Sequence, residues 1–502
     1  MKFETLRNGI ANLLGGLLPA IVVVITTPYV VNTLGEVTYG ILTLITAIIG
    51  YFAIIDINIT AGSVKYVAEH HAIGNIRLRN QTLSSGLAVY LLIGLVGSIL
   101  ILVFSEILIK DLFSVPEPLR AEAGATLKLA AFGFLFGQTQ IYLNSVPQAI
   151  RRYDKSALAE SIFGTLTPLS VVLVLWLGYG LFEVVLVRIA ASILNILLLA
   201  QIIRRLMPDV AFEVPDRKTI SALGRFSGFA YLSRLATIAY AQGDKLILGA
   251  LVSMSALTHY AVPFMLVSRV FSLSYRLGGV MFPVASALAA NKELDRLREL
   301  YLYAARYIFF VNCALAVLLI TLAHEILLYW LGSSMAASGT TIMILIALSS
   351  LVDSLTNSPS LINDGLGKPQ ITGSFAISRA VVGVSLTLVL VSTYGVLGAG
   401  IAQLVTSTLM AALFVAYVHG RSVPVQLSDF LQVVVRPSLP LFLLTAIVVV
   451  LLHEQSPLLP IHTVGLLLIE SLTLAAYGLA FVFRPSDRAA LWARLRPTVI
   501  DI

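Results

Sequence analysis

Apolar runs of about twenty residues follow one another along almost the whole chain, and short polar loops separate them. A helix of about twenty apolar residues matches the thickness of the hydrocarbon core of a bilayer. The pattern predicts about fourteen transmembrane helices, at residues 10–31, 37–57, 82–105, 125–147, 157–178, 181–203, 226–251, 260–287, 301–323, 339–362, 370–391, 395–418, 432–452 and 461–483. We therefore expect an all-α, polytopic membrane protein.

The composition agrees with a membrane protein and narrows its chemistry. Of the 502 residues, 58% are hydrophobic and only 12% are charged, whereas about 25% of the residues of a soluble domain are charged. The single cysteine, Cys313, excludes intrachain disulfides and cysteine-cluster metal sites, and the seven histidines suggest no metal site. The loops contain no evident pair of catalytic carboxylates and no Ser/His/Asp set. We therefore expect no metal, no cofactor and no enzymatic activity.

The positive charges predict an orientation in the membrane. The net charge is +7, but lysine and arginine collect in short loops between apolar runs, which argues against a nucleic-acid partner. Lys2 and Arg7 precede an apolar run of spanning length, which indicates a first transmembrane helix rather than a cleaved signal peptide. Most basic residues fall at the termini or in the even-numbered loops, so the positive-inside rule places both termini in the cytoplasm.

The chain also carries an internal repeat. Asn144-Ser145-Val146-Pro147 ends the fourth predicted span, and Asn357-Ser358-Pro359 ends the tenth, six spans later. Repeats of the same orientation predict two six-helix lobes related by an axis along the membrane normal, although chance similarity between apolar segments is an alternative. The predicted domains are an N-terminal lobe (1–203), a cytoplasmic linker (204–225), a C-terminal lobe (226–420), two further helices (421–483) and a cytoplasmic tail that can form an interfacial helix (484–502).

Several cations lie inside the predicted spans. Placing a charged side chain near the middle of the bilayer costs about 2.5–3.5 kcal/mol unless it lies in a water-filled cavity. These cations are Arg188, Arg234, Lys245, Arg269, Arg276 and Arg379. Their spacing places Arg234 and Lys245 on one face of a helix, and likewise Arg269 and Arg276. Guanidinium groups bind phosphate through paired, directed hydrogen bonds. We therefore predict that these six residues bind a phosphate or pyrophosphate.

Acidic residues in the spans leave a structural alternative open. Asp353 could neutralise Arg379, and Asp244 could neutralise Lys245 or a cation on a neighbouring helix. Lys245 and Arg276 could instead reach the nearer membrane surface. Asp353, Glu470 and Asp244 are also candidates for binding a coupling ion, either sodium or a proton.

Two stretches resemble the oligosaccharide flippases, which belong to the superfamily that also contains the multidrug and toxin extrusion transporters. The first is Leu34-Gly35-Glu36-Val37-Thr38-Tyr39-Gly40 followed by Asp56, and the second is Gly243-Asp244-Lys245-Leu246-Ile247-Leu248-Gly249 followed by Phe282-Pro283. The resemblance covers essentially the whole chain. It implies two six-helix lobes that turn a polyprenyl-pyrophosphate-linked oligosaccharide from the inner to the outer leaflet of a bacterial cytoplasmic membrane, with a cationic cavity for the head group. Membrane lipids and other polysaccharide assembly proteins are the further partners that we expect.

Three rival functions make different demands on the sequence. A drug or cation antiporter would need an acidic cavity in which Asp353 and Glu470 are essential, and the placement of the deep cations fits this less well. A lipid II flippase would share the fold and differ in the head group that it carries. A membrane enzyme of the same pathway would need a substantial outer loop with catalytic groups, which the sequence lacks.

Overall fold

The computed structural model describes residues 2–56, 59–278, 281–441 and 460–489, and every regular element in these ranges is helical. Nine helices in the described ranges are long and apolar enough to cross a membrane. The all-α, polytopic prediction is thereby confirmed. The count of fourteen spans stays a prediction, because much of the span expected at 432–452 lies outside the described residues.

The long apolar runs form long helices that include some of the flanking polar residues. The helices are α1 (Lys2–Leu34), α2 (Glu36–Phe52), α3 (Ile59–Ala72), α4 (Ile76–Ile107), α5 (Arg120–Ala149), α6 (Tyr153–Trp176), α7 (Leu181–Leu206), α8 (Arg217–Leu251), α9 (Met254–Gly278), α10 (Met281–Ala290), α11 (Leu294–Thr321), α12 (Ala323–Leu331), α13 (Ser333–Gly365), α14 (Pro369–Arg421), α15 (Leu427–Phe430) and α16 (Pro460–Tyr477).

Local sequence signals explain where several helices begin. The Asn75 side chain accepts a hydrogen bond from the Leu78 amide (3.0 Å) and caps α4. Asp216 does the same for α8, because one of its carboxylate oxygens accepts from the Thr219 amide at 3.0 Å. Such caps satisfy amides at a helix start that have no partner inside the helix.

The helix α14 contains two spans that meet at a single residue. Gly395 has a φ of 58° and a ψ of −134°, a conformation that side chains other than glycine rarely adopt. A Cβ atom on Gly398 would lie 2.0 Å from the Leu390 carbonyl oxygen, so the chain also passes close to itself just after the turn. The two predicted spans 370–391 and 395–418 are therefore joined by one tight turn rather than a loop.

The chain divides into two compact units. The first contains Met1–Val262 and Ala376–Ala402, and the second contains Pro263–Phe375 and Gln403–Ile502. In the first unit, α4 packs on α5, α5 on α7 and α1 on α6. In the second unit, α10, α11 and α12 all pack on α13. The lobe boundaries derived from the sequence stay a prediction.

Helix order in the second half of the chain follows the order in the first half. The helices α9, α10 and α11 begin 218, 222 and 218 residues after α2, α3 and α4. In both halves a span is followed by a short helix, α3 or α10, and then by another long helix. This order agrees with the repeat that the sequence suggests.

The C-terminal tail is described only in part. Residues 485–489 are helical, and the rest of the predicted interfacial helix lies outside the described residues. The described part is tied to α11, since the Arg484 guanidinium stands over the Tyr303 ring and is 2.7 Å from a Glu299 carboxylate oxygen.

Candidate substrate-binding site

Asp56 lies at the break between α2 and α3. After α2 the chain tightens into a 3₁₀ turn, Ala53–Ile55, and Asp56 is extended with a φ of −73° and a ψ of 103°. Its side chain is completely buried. One carboxylate oxygen accepts a hydrogen bond from the Tyr90 hydroxyl (2.8 Å), and the other accepts from the Arg234 guanidinium (2.7 Å). A buried carboxylate needs such partners, because leaving its charge unpaired is costly.

Arg234 is therefore half of an ion pair, with 33% of its side chain exposed. The helix α8 contacts the break at a second point, since the Tyr231 hydroxyl donates to the Ile54 carbonyl at 2.8 Å. Together these contacts fix α8 against the end of α2. Part of the Arg234 side chain remains accessible to a ligand.

Arg379 lies against an aromatic ring on α8. Its guanidinium carbon is 4.7 Å from the centre of the Tyr240 ring, and one of its nitrogens donates to the Tyr240 hydroxyl at 3.2 Å. A guanidinium over an aromatic face is stabilised by the ring quadrupole while its charge is retained. Arg379 is thereby oriented by Tyr240.

Lys245 is neutralised locally. Its ammonium group is 3.3 Å from one oxygen of Asp244 and donates to the Ala241 carbonyl at 2.8 Å. The other oxygen of Asp244 accepts a hydrogen bond from the buried Tyr260 hydroxyl at 2.6 Å. Lys245 is only 14% exposed, so this geometry matches the alternative in which Asp244 neutralises Lys245.

Arg188 and Arg269 have a different environment. Both side chains are exposed, Arg188 on α7 and Arg269 on α9. Within the described part of the chain, neither guanidinium forms an ion pair with a carboxylate. Arg276 also lies on α9, but its side chain falls outside the described part of the structure, and so does its predicted role.

The candidate coupling residues in the second unit are half-buried. Glu470 lies on α16, where one of its oxygens accepts a hydrogen bond from the Thr321 hydroxyl at 3.1 Å. Asp353 lies on α13, and its backbone carbonyl accepts from the Thr356 hydroxyl at 2.8 Å. Neither observation tests whether an ion binds there, so the coupling role stays a prediction.

The segment between α7 and α8 is attached to the start of α4. The buried Arg79 guanidinium is 3.1 Å from an Asp209 carboxylate oxygen, and the Asn80 side chain donates to the Asp209 carbonyl at 2.9 Å. Farther along, the Glu213 amide donates to the Ser84 hydroxyl at 3.0 Å. The Arg79 guanidinium holds the pKa of Asp209 below its ordinary value, because it stabilises the carboxylate.

Sequence reasoning missed the partners of two of the cations. It did not connect Asp56 with Arg234, which is 178 positions away. It also did not connect Tyr240 with Arg379, 139 positions apart. One signal was available, since an acid at the end of an apolar span is costly to bury without a cation nearby.

The amino-acid sequence is similar to those of several known proteins. A family model described as polysaccharide biosynthesis protein matches residues 5–289. A protein of Shigella flexneri named "Putative O-antigen transporter" is 22% identical over 413 residues, which cover 81% of this chain and 96% of that protein. "Probable flippase AglR" of Haloferax volcanii is 24% identical over 266 residues, or 53% of this chain and 55% of that protein.

Solved structures share the fold at low sequence identity. An inward-facing multidrug resistance transporter of the MATE family, in the MOP superfamily, aligns with a TM-score of 0.69 and 15% identity, covering 84% of this chain and 96% of its own. The lipid II flippase MurJ in an inward closed conformation aligns with a TM-score of 0.68 and 16% identity over 98% of both chains. At this identity the likeness shows the fold alone.

Proposed function

The chain belongs to the polysaccharide biosynthesis protein family, and from that premise we propose that it is a flippase for polyprenyl-pyrophosphate-linked oligosaccharide repeat units. The substrate moves from the cytoplasmic to the outer leaflet by alternating access, in which one repeat rocks against the other around the head-group site. The Shigella relative named as an O-antigen transporter and the Haloferax relative named as a flippase support this activity. The activity is transport without covalent chemistry.

Exposed arginine side chains on helices that the sequence predicts to span the membrane are the observation that carries the proposal. Arg269 and Arg188 are exposed, and neither has a carboxylate partner among the described residues, while Arg234 keeps a third of its side chain accessible. A cation in a spanning helix is tolerated when a wet cavity or an anionic ligand receives it. Each guanidinium presents a planar fork of N–H donors that matches phosphate oxygens. These arginines bind the pyrophosphate, and Arg379, oriented by Tyr240, contributes further positive charge.

The membrane potential favours export of an anionic head group. Moving one negative charge outward across an inside-negative membrane is favoured by about 2.3 kcal/mol per 100 mV. The empty carrier returns without this charge, and an ion gradient can reset it. Asp353 and Glu470 are the residues that we propose for a coupling proton or sodium ion, and Asp244 is a third candidate.

The proposed setting is a bacterial cytoplasmic membrane with both termini in the cytoplasm. The chain is a multi-pass membrane protein, given its nine candidate spans in the described ranges. Positive charge in the inner loops supports this orientation. Membrane lipids and other polysaccharide assembly proteins are the partners that we propose beside the lipid-linked substrate.

The test compares Arg269→Ala with Arg269→Lys. We expect Arg269→Ala to abolish export of the sugar repeat in cells and to weaken binding of polyprenyl pyrophosphate to the purified protein. Arg269→Lys should recover part of both, since it keeps the charge and loses the bidentate geometry. Lys128→Ala is the matched control, because Lys128 is an exposed cation paired with Glu106 in the first unit. Normal export by a folded Arg269→Ala protein would contradict the proposal.

The same experiment separates the rival transport functions. For a drug or cation antiporter, Asp353→Asn and Glu470→Gln would abolish activity, and Arg269→Ala would be tolerated. A lipid II flippase would bind polyprenyl pyrophosphate equally well but would require the lipid II head group for transport. Binding measured with and without the attached sugar therefore distinguishes these functions.

A further inference from the structure

We propose that Asp56 is an exchangeable counter-ion for Arg234. Asp56 holds the Arg234 guanidinium in the empty carrier and gives it up to a substrate phosphate. This inference rests on the proposed function and adds a regulatory residue to the head-group site. It assigns Asp56 a positioning role, because Asp56 acts on the substrate through Arg234.

The two partners of this ion pair differ in exposure. The Asp56 side chain is completely buried, and Arg234 is 33% exposed. Part of the Arg234 side chain is therefore accessible to a ligand, whereas Asp56 is not. The planar N–H fork of a guanidinium matches phosphate oxygens as well as carboxylate oxygens, so a phosphate and Asp56 compete for the same group.

Asp56 stays anchored when Arg234 leaves, because its other oxygen has an independent partner. The Tyr90 hydroxyl donates to that oxygen at 2.8 Å, and Tyr90 is itself fully buried. The Tyr90 ring stacks on Tyr142, with ring centres 5.3 Å apart. The Tyr142 hydroxyl in turn donates to the Leu83 carbonyl at 2.8 Å and is 3.0 Å from the Ser63 hydroxyl.

These contacts connect the carboxylate to α3, α4 and α5. An isolated carboxylate in this place would move towards water or take up a proton, because burial disfavours its charge. With the Tyr90 hydrogen bond, Asp56 stays ionised at the break between α2 and α3 and can re-form the ion pair with Arg234 after the substrate leaves. The hydrogen bond from Tyr90 is thus part of the exchange device.

The exchange sets a balance between capture and release. A pyrophosphate carries more charge and more acceptor oxygens than one carboxylate, so it can displace Asp56 from Arg234. Asp56 competes with the substrate at every moment and thereby weakens its binding. Without this competition the substrate would bind more tightly and leave more slowly. Efficient transport requires that the site releases its ligand on the far side of the membrane.

The location of Asp56 connects the exchange to helix geometry. Asp56 follows directly after the 3₁₀ turn that ends α2, and its amide completes that turn by donating to the Ala53 carbonyl at 3.0 Å. On α8, Tyr231 holds the neighbouring Ile54 carbonyl. When Arg234 turns towards the substrate, α8 loses its ion pair with this break. Substrate binding therefore loosens α8 from the end of α2.

The experiment measures polyprenyl pyrophosphate binding to the purified full-length protein in detergent. Asp56→Asn removes the competing charge and keeps the side-chain shape, so we expect the Kd to fall on the order of tenfold, a usual size for coupling between two sites. In cells, the same variant should export the sugar repeat more slowly than the wild type, because release is slowed. Glu106→Gln is the matched control, since it removes an exposed carboxylate beside Lys110 and Lys128 and should leave the Kd unchanged.

Tyr90→Phe is the second variant, and it keeps the test decisive if Asp56→Asn does not fold. It retains the carboxylate and removes the hydrogen bond that stabilises Asp56 when Arg234 leaves, so the Kd should rise. The double variant Arg234→Lys, Asp56→Asn should lose most of the gain in affinity, because Asp56 and the substrate compete for the Arg234 guanidinium. Inorganic pyrophosphate without the lipid should follow the same order of variants, which separates head-group binding from binding of the lipid tail.

The possible results separate this inference from the proposed function. A lower Kd in Asp56→Asn and a higher Kd in Tyr90→Phe support the exchange. A wild-type protein that binds polyprenyl pyrophosphate overturns the exchange alone if folded Asp56→Asn does not bind more tightly or folded Tyr90→Phe does not bind more weakly. A wild-type protein that does not bind polyprenyl pyrophosphate overturns both.

Discussion

Gly40 on α2 lies against the backbone of Met254 at the start of α9, and Gly40→Ala should separate them. A Cβ atom at position 40 would lie 2.0 Å from the carbonyl oxygen of Met254 and 2.6 Å from its carbonyl carbon. Ordinary van der Waals contact begins at 3.4 Å, so relief needs a displacement of about 1.4 Å. The atoms in the way belong to the backbone, so no side-chain rotation can relieve the clash.

The displacement also strains a group of polar contacts around Glu36. The Thr258 hydroxyl donates to the Glu36 carbonyl at 2.6 Å, and the Ser255 hydroxyl donates to the Glu36 carboxylate at 3.0 Å. The His259 imidazole is 3.1 Å from the same carboxylate. Overpacking alone costs about 1–3 kcal/mol, and each lost hydrogen bond adds about 0.5–1.5 kcal/mol. We therefore expect Gly40→Ala to lower the free energy of unfolding by about 2–4 kcal/mol.

The assay is equilibrium unfolding of the purified protein in detergent, with Gly137→Ala as the matched control. Gly137 lies within α5, and a Cβ atom there would meet no other atom within 4 Å. Alanine has a helix propensity about 1 kcal/mol more favourable than glycine, so the control should be neutral or slightly stabilising. Equal stability of Gly40→Ala, Gly137→Ala and the wild type would refute the close approach of α2 and α9 and the reasoning built on it.

Two further predictions concern the first unit. Tyr260→Phe removes the hydrogen bond to the buried Asp244 carboxylate and should lower the free energy of unfolding by about 1.5–3 kcal/mol. The control Tyr394→Phe, at an exposed tyrosine, should not change it. Equal effects of the two substitutions would contradict the hydrogen bond between Tyr260 and Asp244. Arg79 lowers the pKa of Asp209, so their ion pair is intact at neutral pH and is lost as the pH falls below the ordinary aspartate value of about 4. Protease cleavage within residues 207–216 should therefore rise on acidification. Asp209→Asn should reproduce the rise at pH 7, whereas the control Asp111→Asn, at an exposed aspartate, should not. An unaltered digest of Asp209→Asn would argue against the attachment of this segment to α4.

Apolar run length predicts where the spans lie but not how they end. The span expected at 181–203 is the core of α7, and the span expected at 37–57 covers α2 and the turn after it. The span expected at 82–105 is only the apolar part of α4, which starts at Ile76. Helical hydrogen bonding continues past the last residue inside the hydrocarbon core of the bilayer. The span expected at 260–287 covers parts of α9 and α10, and residues 279–280 lie outside the described part of the chain. Hydropathy averages over a window and so does not detect a break within it.

The candidate site could be predicted in kind but not in its pairing. The predicted depth of Arg234 within its span marks it as a cation with an unusual environment, because a guanidinium inside the hydrocarbon core is costly. Its partner could not be read from spacing, because Asp56 is brought to it only by the packing of α8 against the break after α2. Asp244 and Lys245 are adjacent in sequence, so their pairing could be considered from the start. Tyr240 beside Arg379 required the course of α14, which the sequence does not specify.

The single-residue turn at Gly395 affects how the topology of this chain can be mapped. A reporter domain or epitope inserted between two spans needs slack backbone on either side, and here the residues before and after Gly395 are already helical. An insertion at this turn would unwind a span and give a misleading orientation, and even alanine at position 395 would be strained. Labels are better placed in the segment 422–426, where α14 has ended and the backbone is not helical.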